Sequence, residues 1–100
     1  MKPINIHNLN KIFDNRFRVG IMSALSVNDK LAFNDLKELL QLTDGNLASH
    51  FKTLEDNEYI TVKKGFIGRK TNTTYSITKK GKQAFQEHLE ALEKIIRQMK

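Results

Sequence analysis

Four short polar side chains near the middle of the 100-residue chain could contact the edges of nucleic-acid bases. They are Asn46, Ser49, His50 and Thr53. In the same segment Leu47, Phe51 and Leu54 recur at i, i+4 and i+7, which predicts a helix with one buried face. The four polar residues then lie on the opposite face, where amide, hydroxyl and imidazole groups can hydrogen-bond base edges. An ordinary amphipathic helix with polar filler fits the same pattern.

The net charge of +6 is concentrated in one part of the chain. Residues 59–82 hold seven Lys/Arg and no Asp or Glu, whereas residues 1–58 sum to −1 and residues 83–100 are balanced. A polyanionic partner is the simplest reason for this distribution. A solvated, Lys-rich turn that serves solubility is the alternative.

Several classes of site are absent from the sequence. The chain has no cysteine, so it can form neither disulfides nor thiolate metal sites. His7, His50 and His88 lack metal-ligand spacing, so we expect no metal and no cofactor. Without a nucleophile elbow or phosphate loop, we predict that the chain is not an enzyme. It has no long apolar run or signal-peptide core, so we expect a cytoplasmic protein that does not enter a membrane.

Three helices are predicted in the first 56 residues. The apolar stripe before Leu25 predicts a main helix at about 15–26, capped by Asp14 or Asn15. A minimal strand follows at residues 31–33, and Asn34 is expected to cap a second helix that ends near Gln41. The third helix is predicted to begin near residue 44, and either Thr43 or Asp44 can cap it. Two short helices with so tight a connection form a helix-turn-helix.

A β-hairpin and a long last helix complete the prediction. Residues 59–62 and 74–78 are rich in β-formers, and the basic, polar segment between them predicts an extended loop with glycine hinges. Thr78 is expected to cap the last helix. Its apolar positions are spaced 4-3-4-3, a heptad seam for which we predict a homodimer interface. These positions are Phe85, Leu89, Leu92, Ile96 and Met99.

The order of these elements and their sequences resemble the small winged-helix transcriptional regulators related to the MarR and ArsR types. The resemblance is carried by NRFR (15–18), FNDLKELL (33–40), LTDGNLASHFKTLE (42–55), YI (59–60), GRK (68–70) and YSITKKG (75–81). It implies a mainly α fold with a small β-hairpin, a winged helix-turn-helix in which the third helix enters the major groove. The family usually has Gly before the pair at 59–60, where this chain has Asn57-Glu58; we expect Asn57 to take the left-handed conformation there.

We therefore predict a single domain, with a winged-helix core at about 12–82 and a dimerisation segment at about 83–100. The predicted partners are double-stranded DNA and a second copy of the chain; the sequence leaves open whether a small-molecule effector binds. Base reading is assigned to the four polar residues of the third helix. Backbone or minor-groove contacts are assigned to Gly45, Lys52, Lys63, Lys64, Arg69, Lys70, Thr71, Asn72 and Thr73. The alternative is a winged-helix module that binds a protein or an RNA.

Overall fold

The computed structural model describes residues 1–100 as four α-helices and one three-stranded antiparallel sheet. In chain order these are a short 3-10 helix (Lys11–Phe13), α1 (Arg16–Ser26), β1 (Leu31–Ala32), α2 (Phe33–Leu40), α3 (Asp44–Asp56), β2 (Ile60–Ile67), β3 (Lys70–Ile77) and α4 (Lys79–Gln98). The helix-turn-helix is α2 and α3, and the wing is β2 and β3. The predicted winged-helix architecture, with its long C-terminal helix, is confirmed.

Side chains at the predicted positions cap three of the four helices. Asn15 accepts hydrogen bonds from the backbone N–H groups of two residues that follow it, at 2.9 and 3.2 Å. Thr43 caps α3 and Thr78 caps α4 in the same way. The predicted cap of α2 is wrong. This helix begins one residue before Asn34, and the Asp35 carboxylate accepts a hydrogen bond from the Ala32 N–H at 3.0 Å.

The end of α3 differs from the prediction by one residue. Asn57 has an ordinary φ of −87°, and Glu58 takes the left-handed conformation at φ 62°. The Glu58 N–H donates to the Glu55 carbonyl, and the Tyr59 N–H donates to the Leu54 carbonyl. This pair of bonds defines a Schellman motif, in which the left-handed residue is usually Gly. Glu58 therefore occupies the position at which the family has its glycine.

The wing is a continuous hairpin, so the predicted extended loop is wrong. Residues 63–73 mostly belong to the strands, with pairing maintained from Ile60 opposite Ile77 to Ile67 opposite Lys70. Only Gly68 and Arg69 form the turn, and Gly68 has φ +63°. Positive φ at the first of two turn residues fits a type II′ turn, which suits the twist of the strands. β1 pairs with β3 on the other side, giving the order β1-β3-β2.

The core fills the space between α1, the helix-turn-helix and the base of the sheet. Ile21, Leu36 and Leu47 are fully buried there, one from each of the first three helices. Phe51 stacks on Tyr75 with 4.0 Å between ring centroids, which joins α3 to the sheet. The inner stripe of α3 therefore fixes which residues this helix turns outward.

The first half of α4 also belongs to the core, which corrects one part of the predicted dimer seam. Phe85 is only 5% exposed and meets Phe13 edge to face, with 5.2 Å between ring centroids. One turn later His88 is buried, and its Nδ1 accepts a hydrogen bond from the Asn10 N–H at 2.9 Å. Phe85 is thus buried within its own chain and leaves no surface for a partner. No helix is both long and apolar enough to cross a membrane.

Candidate nucleic-acid interface

The solvent face of α3 consists of small and polar residues. Because Leu47, Phe51 and Leu54 face the core, the helix turns its opposite side outward. The exposed residues of the first three turns are Asp44, which pairs with Lys37, and five residues that we call the α3 contact face: Gly45, Asn46, Ala48, Ser49 and Lys52. Apart from Lys52, no long side chain in this set would hold another surface away from the helix.

Ala48 is a member of the α3 contact face that the sequence analysis missed. It lies one turn from both Gly45 and Lys52 and is exposed although it is apolar. An alanine methyl can contact the methyl group of thymine in the major groove. Its position three residues after Gly45, away from the buried stripe, was the available signal.

Thr53 contributes less to this face than predicted. It is only half-exposed, and its hydroxyl donates a hydrogen bond to the Ser49 carbonyl at 3.1 Å. The hydroxyl oxygen keeps its capacity to accept a hydrogen bond, but its proton is already used. Asn46 and Ser49 are exposed, and the structure gives neither side chain a hydrogen-bond partner within the chain.

His50 is directed toward α1, so the prediction of an outward-facing ring is wrong. Its Nδ1 lies 3.1 Å from a guanidinium nitrogen of Arg18, and its ring lies 5.2 Å from that of Phe17. A guanidinium only donates hydrogen bonds, so Nδ1 accepts and the proton of the neutral ring is on Nε2. Burial, and after it the positive charge of Arg18, lower the pKa of His50 below its ordinary value. His50 therefore joins α3 to α1.

The start of α3 leaves backbone donors open. The Thr43 hydroxyl accepts from the Asn46 N–H at 3.3 Å, and the Thr43 carbonyl accepts from Leu47. The N–H groups of Asp44 and Gly45 have no partner in the chain, as is usual in the first turn of a helix. Such donors favour an anion. Asp44 itself pairs with Lys37 across the helix-turn-helix at 2.8 Å, which supports a local role for its carboxylate.

The basic residues of the wing are exposed along both strands and at the turn. Lys63 and Lys64 lie on opposite faces of β2, opposite Thr74 and Thr73. Arg69 is in the turn and Lys70 begins β3. None of these four cations has an ion-pair partner in the structure. Thr71 is exposed, while Asn72 and Thr73 are half-exposed.

The basic block of the sequence is divided in space. Its other three cations, Lys79, Lys80 and Lys82, are in the first turn of α4, at the base of the hairpin. Seven residue steps of about 3.4 Å separate the base pair of the hairpin from its outermost pair, a distance of about 24 Å. Only the wing cations lie along the projecting part of the sheet, and Lys80 is 3.6 Å from Glu58.

An exposed apolar row follows the buried part of α4. Leu89 and Leu92 are 44% and 38% exposed, while Ile96 and Met99 are 51% and 80% exposed. They continue the seam that begins with the buried Phe85. The rest of the chain leaves at least 38% of each side chain exposed, and a row of this kind on a polar helix is typical of an interface.

Comparisons with known proteins agree with this geometry. A family model described as a winged helix DNA-binding domain matches residues 17–96. An uncharacterized protein of Methanocaldococcus jannaschii is 42% identical over 79 residues, which cover 79% of this chain and 86% of that protein. The structure of a transcriptional regulator homologue from Pyrococcus horikoshii is similar, with a TM-score of 0.82 and 33% identity over 88% of this chain and 87% of that one.

A fourth comparison involves a protein whose structure contains DNA. PadR of Bacillus subtilis, solved in complex with operator DNA, has a TM-score of 0.65 and 20% identity, covering 75% of this chain and 48% of that one. At this identity the likeness shows the fold alone. Together with the family match it confirms the predicted winged-helix resemblance. The chain belongs to the winged helix DNA-binding domain family, a family of DNA-binding domains and not of enzymes, as the sequence predicted.

Proposed function

We propose that this protein is a sequence-specific transcriptional regulator that binds double-stranded DNA as a homodimer. In this proposal α3 enters the major groove, and the wing contacts the flanking backbone or minor groove. The observation that carries it is the α3 contact face, which joins small and polar side chains to a helix start with open N–H groups. Close approach, hydrogen bonding and a preference for anions are what major-groove recognition requires.

Within α3, we assign base reading to Asn46 and Ser49, with a smaller role for Thr53. Asn can pair bidentately with adenine, and Ser can bond to several base edges. Ala48 adds apolar contact, while Gly45 and Lys52 are assigned to phosphates. His50 acts indirectly in this proposal, because its contact with Arg18 supports the orientation of α3.

The wing supplies the second part of the proposed contact. Arg69 and Lys70 are at its outer end, and Lys63 and Lys64 lie further along β2. The absence of any acidic residue between residues 59 and 82 leaves the positive potential of the wing unopposed. Each phosphate neutralised by a cation releases counterions, so binding should weaken steeply as salt concentration rises.

The proposed dimer uses the second half of α4. Leu89, Leu92, Ile96 and Met99 would meet the same row of a second copy, since two-fold assembly is the commonest. This part of α4 is then the dimerisation segment, and the preceding elements form the winged-helix core. Two-fold symmetry would place the half-sites about 10 base pairs apart, or a multiple of that. The MarR- or ArsR-like subtype and the cytoplasmic location remain predictions.

One similar protein supports the regulatory role by analogy. The Pyrococcus horikoshii structure is described as a transcriptional regulator homologue. The alternative, a winged-helix module for a protein or RNA partner, uses the same surface. The basic, acid-free wing beside short polar groups favours duplex DNA.

The experiment is a binding titration on duplex DNA across a salt series, beginning with sites selected from a random library. Arg69→Ala with Lys70→Ala should weaken binding to all sequences and flatten the slope of log affinity against log salt by about 0.9 per lost phosphate contact. Lys94→Ala with Lys100→Ala is the matched control, since it removes two exposed cations from the end of the chain. Equal slopes for the wing variant and the parent would remove the wing from the contact surface.

Base reading is tested on the same library. Asn46→Ala and Ser49→Ala should each cost roughly 1–3 kcal/mol at particular base pairs and little on random DNA. Their melting temperatures should stay close to that of the parent, because both side chains are exposed. Unchanged sequence preference in both variants would contradict recognition by α3 and favour the protein or RNA partner.

A further inference from the structure

The tip of the wing carries two large apolar side chains that the fold does not use. Phe66 is 75% exposed and Ile67 is 68% exposed, and both are in the last two positions of β2. The other strongly exposed apolar residues lie elsewhere, in the N-terminal segment, on the helices and directly after α1. An exposed aromatic ring and a β-branched chain at the end of a hairpin contribute nothing to a core, which indicates a role in contact.

The register shows how the two side chains are presented. Phe66 is opposite Thr71 and Ile67 is opposite Lys70, so the two apolar groups point to opposite faces of the hairpin. Gly68 and Arg69 close the ribbon immediately beyond them. The tip is therefore a narrow apolar blade with cations at its edge.

The charges around the apolar tip indicate the kind of partner that it fits. Arg69 and Lys70 flank the apolar pair, Lys64 is two residues before Phe66, and the nearest acidic residues in sequence are Glu58 and Glu87. Cationic side chains around an apolar tip complement a polyanion that also has an apolar surface. The minor groove of DNA has both, with phosphates at its edges and stacked bases at its floor.

The reach of the wing agrees with this partner. The last pair that packs on the core is Val62 with Tyr75, and the outermost pair is Ile67 with Lys70. Five residue steps between them span about 17 Å. Half a helical turn of DNA is also about 17 Å, the offset between a major groove and the adjacent minor groove. With α3 in the major groove, the wing is long enough to bring its tip to the neighbouring minor groove.

We propose that Phe66 acts as an apolar wedge that enters the minor groove beside the α3 site and opens a base step. The wedge should favour flexible pyrimidine–purine steps and bend the duplex toward the major groove. It would thereby read DNA deformability at a position where no side chain hydrogen-bonds to a base. This inference rests on the proposed function, since it requires that the chain binds duplex DNA.

The test measures bending and unstacking together with affinity. A duplex carrying a selected site is labelled at its ends for energy transfer and contains 2-aminopurine at the step that the wing contacts. Phe66→Ala should lose the bend and the 2-aminopurine signal and bind about ten-fold to a hundred-fold more weakly, with an unchanged salt slope. Phe66→Leu keeps an apolar wedge and should retain most of the bend.

Arg69→Ala is the matched control, because it should flatten the salt slope while the bend persists. If Phe66→Ala bends the duplex and binds it as tightly as the parent does, the wedge is overturned and the proposed function stays intact. If the parent itself fails to bind any duplex, the proposed function fails first. A change in oligomeric state with Phe66→Ala would instead assign the tip to a second copy of the chain and would also overturn the inference.

Discussion

A single methyl group added at Gly45 should increase stability and weaken DNA binding at the same time. Gly45 is the second residue of α3 and has no left-handed conformation to maintain. A Cβ atom built there meets no other atom within 4 Å. Alanine can therefore adopt the native conformation without strain, and it restricts the unfolded chain. The free energy of unfolding should rise by about 0.4–1 kcal/mol, or about 2–8 °C in melting temperature.

The effect on binding has the opposite sign because of the direction of the new bond. Every Cα–Cβ bond of a helix tilts toward the N-terminus, so the methyl group would project toward the open N–H groups of Asp44 and Gly45. A phosphate bound there would be displaced by the methyl group. We expect affinity for a selected duplex to fall about ten-fold, equivalent to about 1.4 kcal/mol.

Urea unfolding and fluorescence anisotropy on labelled duplex measure the two effects separately. Glu58→Gly is the control, because it should also stabilise the protein by replacing a left-handed residue at the far end of α3. It removes one negative charge and should leave affinity unchanged or slightly higher. If Gly45→Ala is more stable and binds DNA as tightly as the parent, the backbone of α3 does not approach a phosphate at this point.

Three further predictions concern assembly, packing and pH. Leu92→Glu with Ile96→Glu should yield a monomer by light scattering and weaken binding to a duplex with two half-sites by about a hundred-fold. The control, Gln83→Glu with Lys94→Gln, changes two exposed residues of α4 and should leave the dimer intact; a parent protein that is monomeric at micromolar concentration would contradict the dimer. Gly81→Ala should lower the free energy of unfolding by about 3 kcal/mol, measured by urea unfolding, because its Cβ atom would lie 2.0 Å from the Tyr59 carbonyl oxygen. A loss below about 1 kcal/mol would mean that the backbone at the base of the hairpin shifts at little cost. Because the folded protein lowers the pKa of His50 from 6.5, the stability gained from its neutral ring is complete above that pH and is lost as the pH falls through the folded pKa. His50→Gln should flatten the pH dependence of the free energy of unfolding below pH 6.5, and an equal dependence would exclude this role.

Local sequence signals predicted the helices well. Asn15, Thr43 and Thr78 cap helices because short side-chain oxygens reach the first free N–H groups whatever the rest of the fold does. The recurrence of apolar residues at i, i+4 and i+7 likewise identified the buried stripe of α3. Both signals depend on neighbours within one turn, so the sequence contains them in full.

The predictions were wrong where contacts between distant parts of the chain determine the orientation or burial of a side chain. His50 is at the border of the buried stripe, and only the position of Arg18 on α1 draws its ring inward. Phe85 continues the heptad spacing of α4, but Phe13 covers it, and periodicity cannot state which surface covers an apolar face. Glu58 has the left-handed conformation because of its place in the Schellman motif, against its own preference.

The wing illustrates the same limit. Lys63, Lys64 and Thr71 to Thr73 are too polar for a core strand, so their sequence favours a loop. In the structure their backbones pair across the hairpin while their side chains stay in solvent, which requires no apolar face. The same reasoning explains why Phe66 was overlooked: within a predicted loop, its exposure carried no signal.

The most direct test is a titration of the ¹⁵N-labelled protein with a selected duplex, followed through its backbone amide chemical shifts. The largest changes should occur at residues 44–52 of α3 and at residues 66–71 of the wing. The distal part of α4, from Leu92 to Met99, should change little, because it faces the second copy in the proposed dimer. Large changes restricted to the N-terminal segment or to α4, with α3 unaffected, would contradict DNA recognition by this helix.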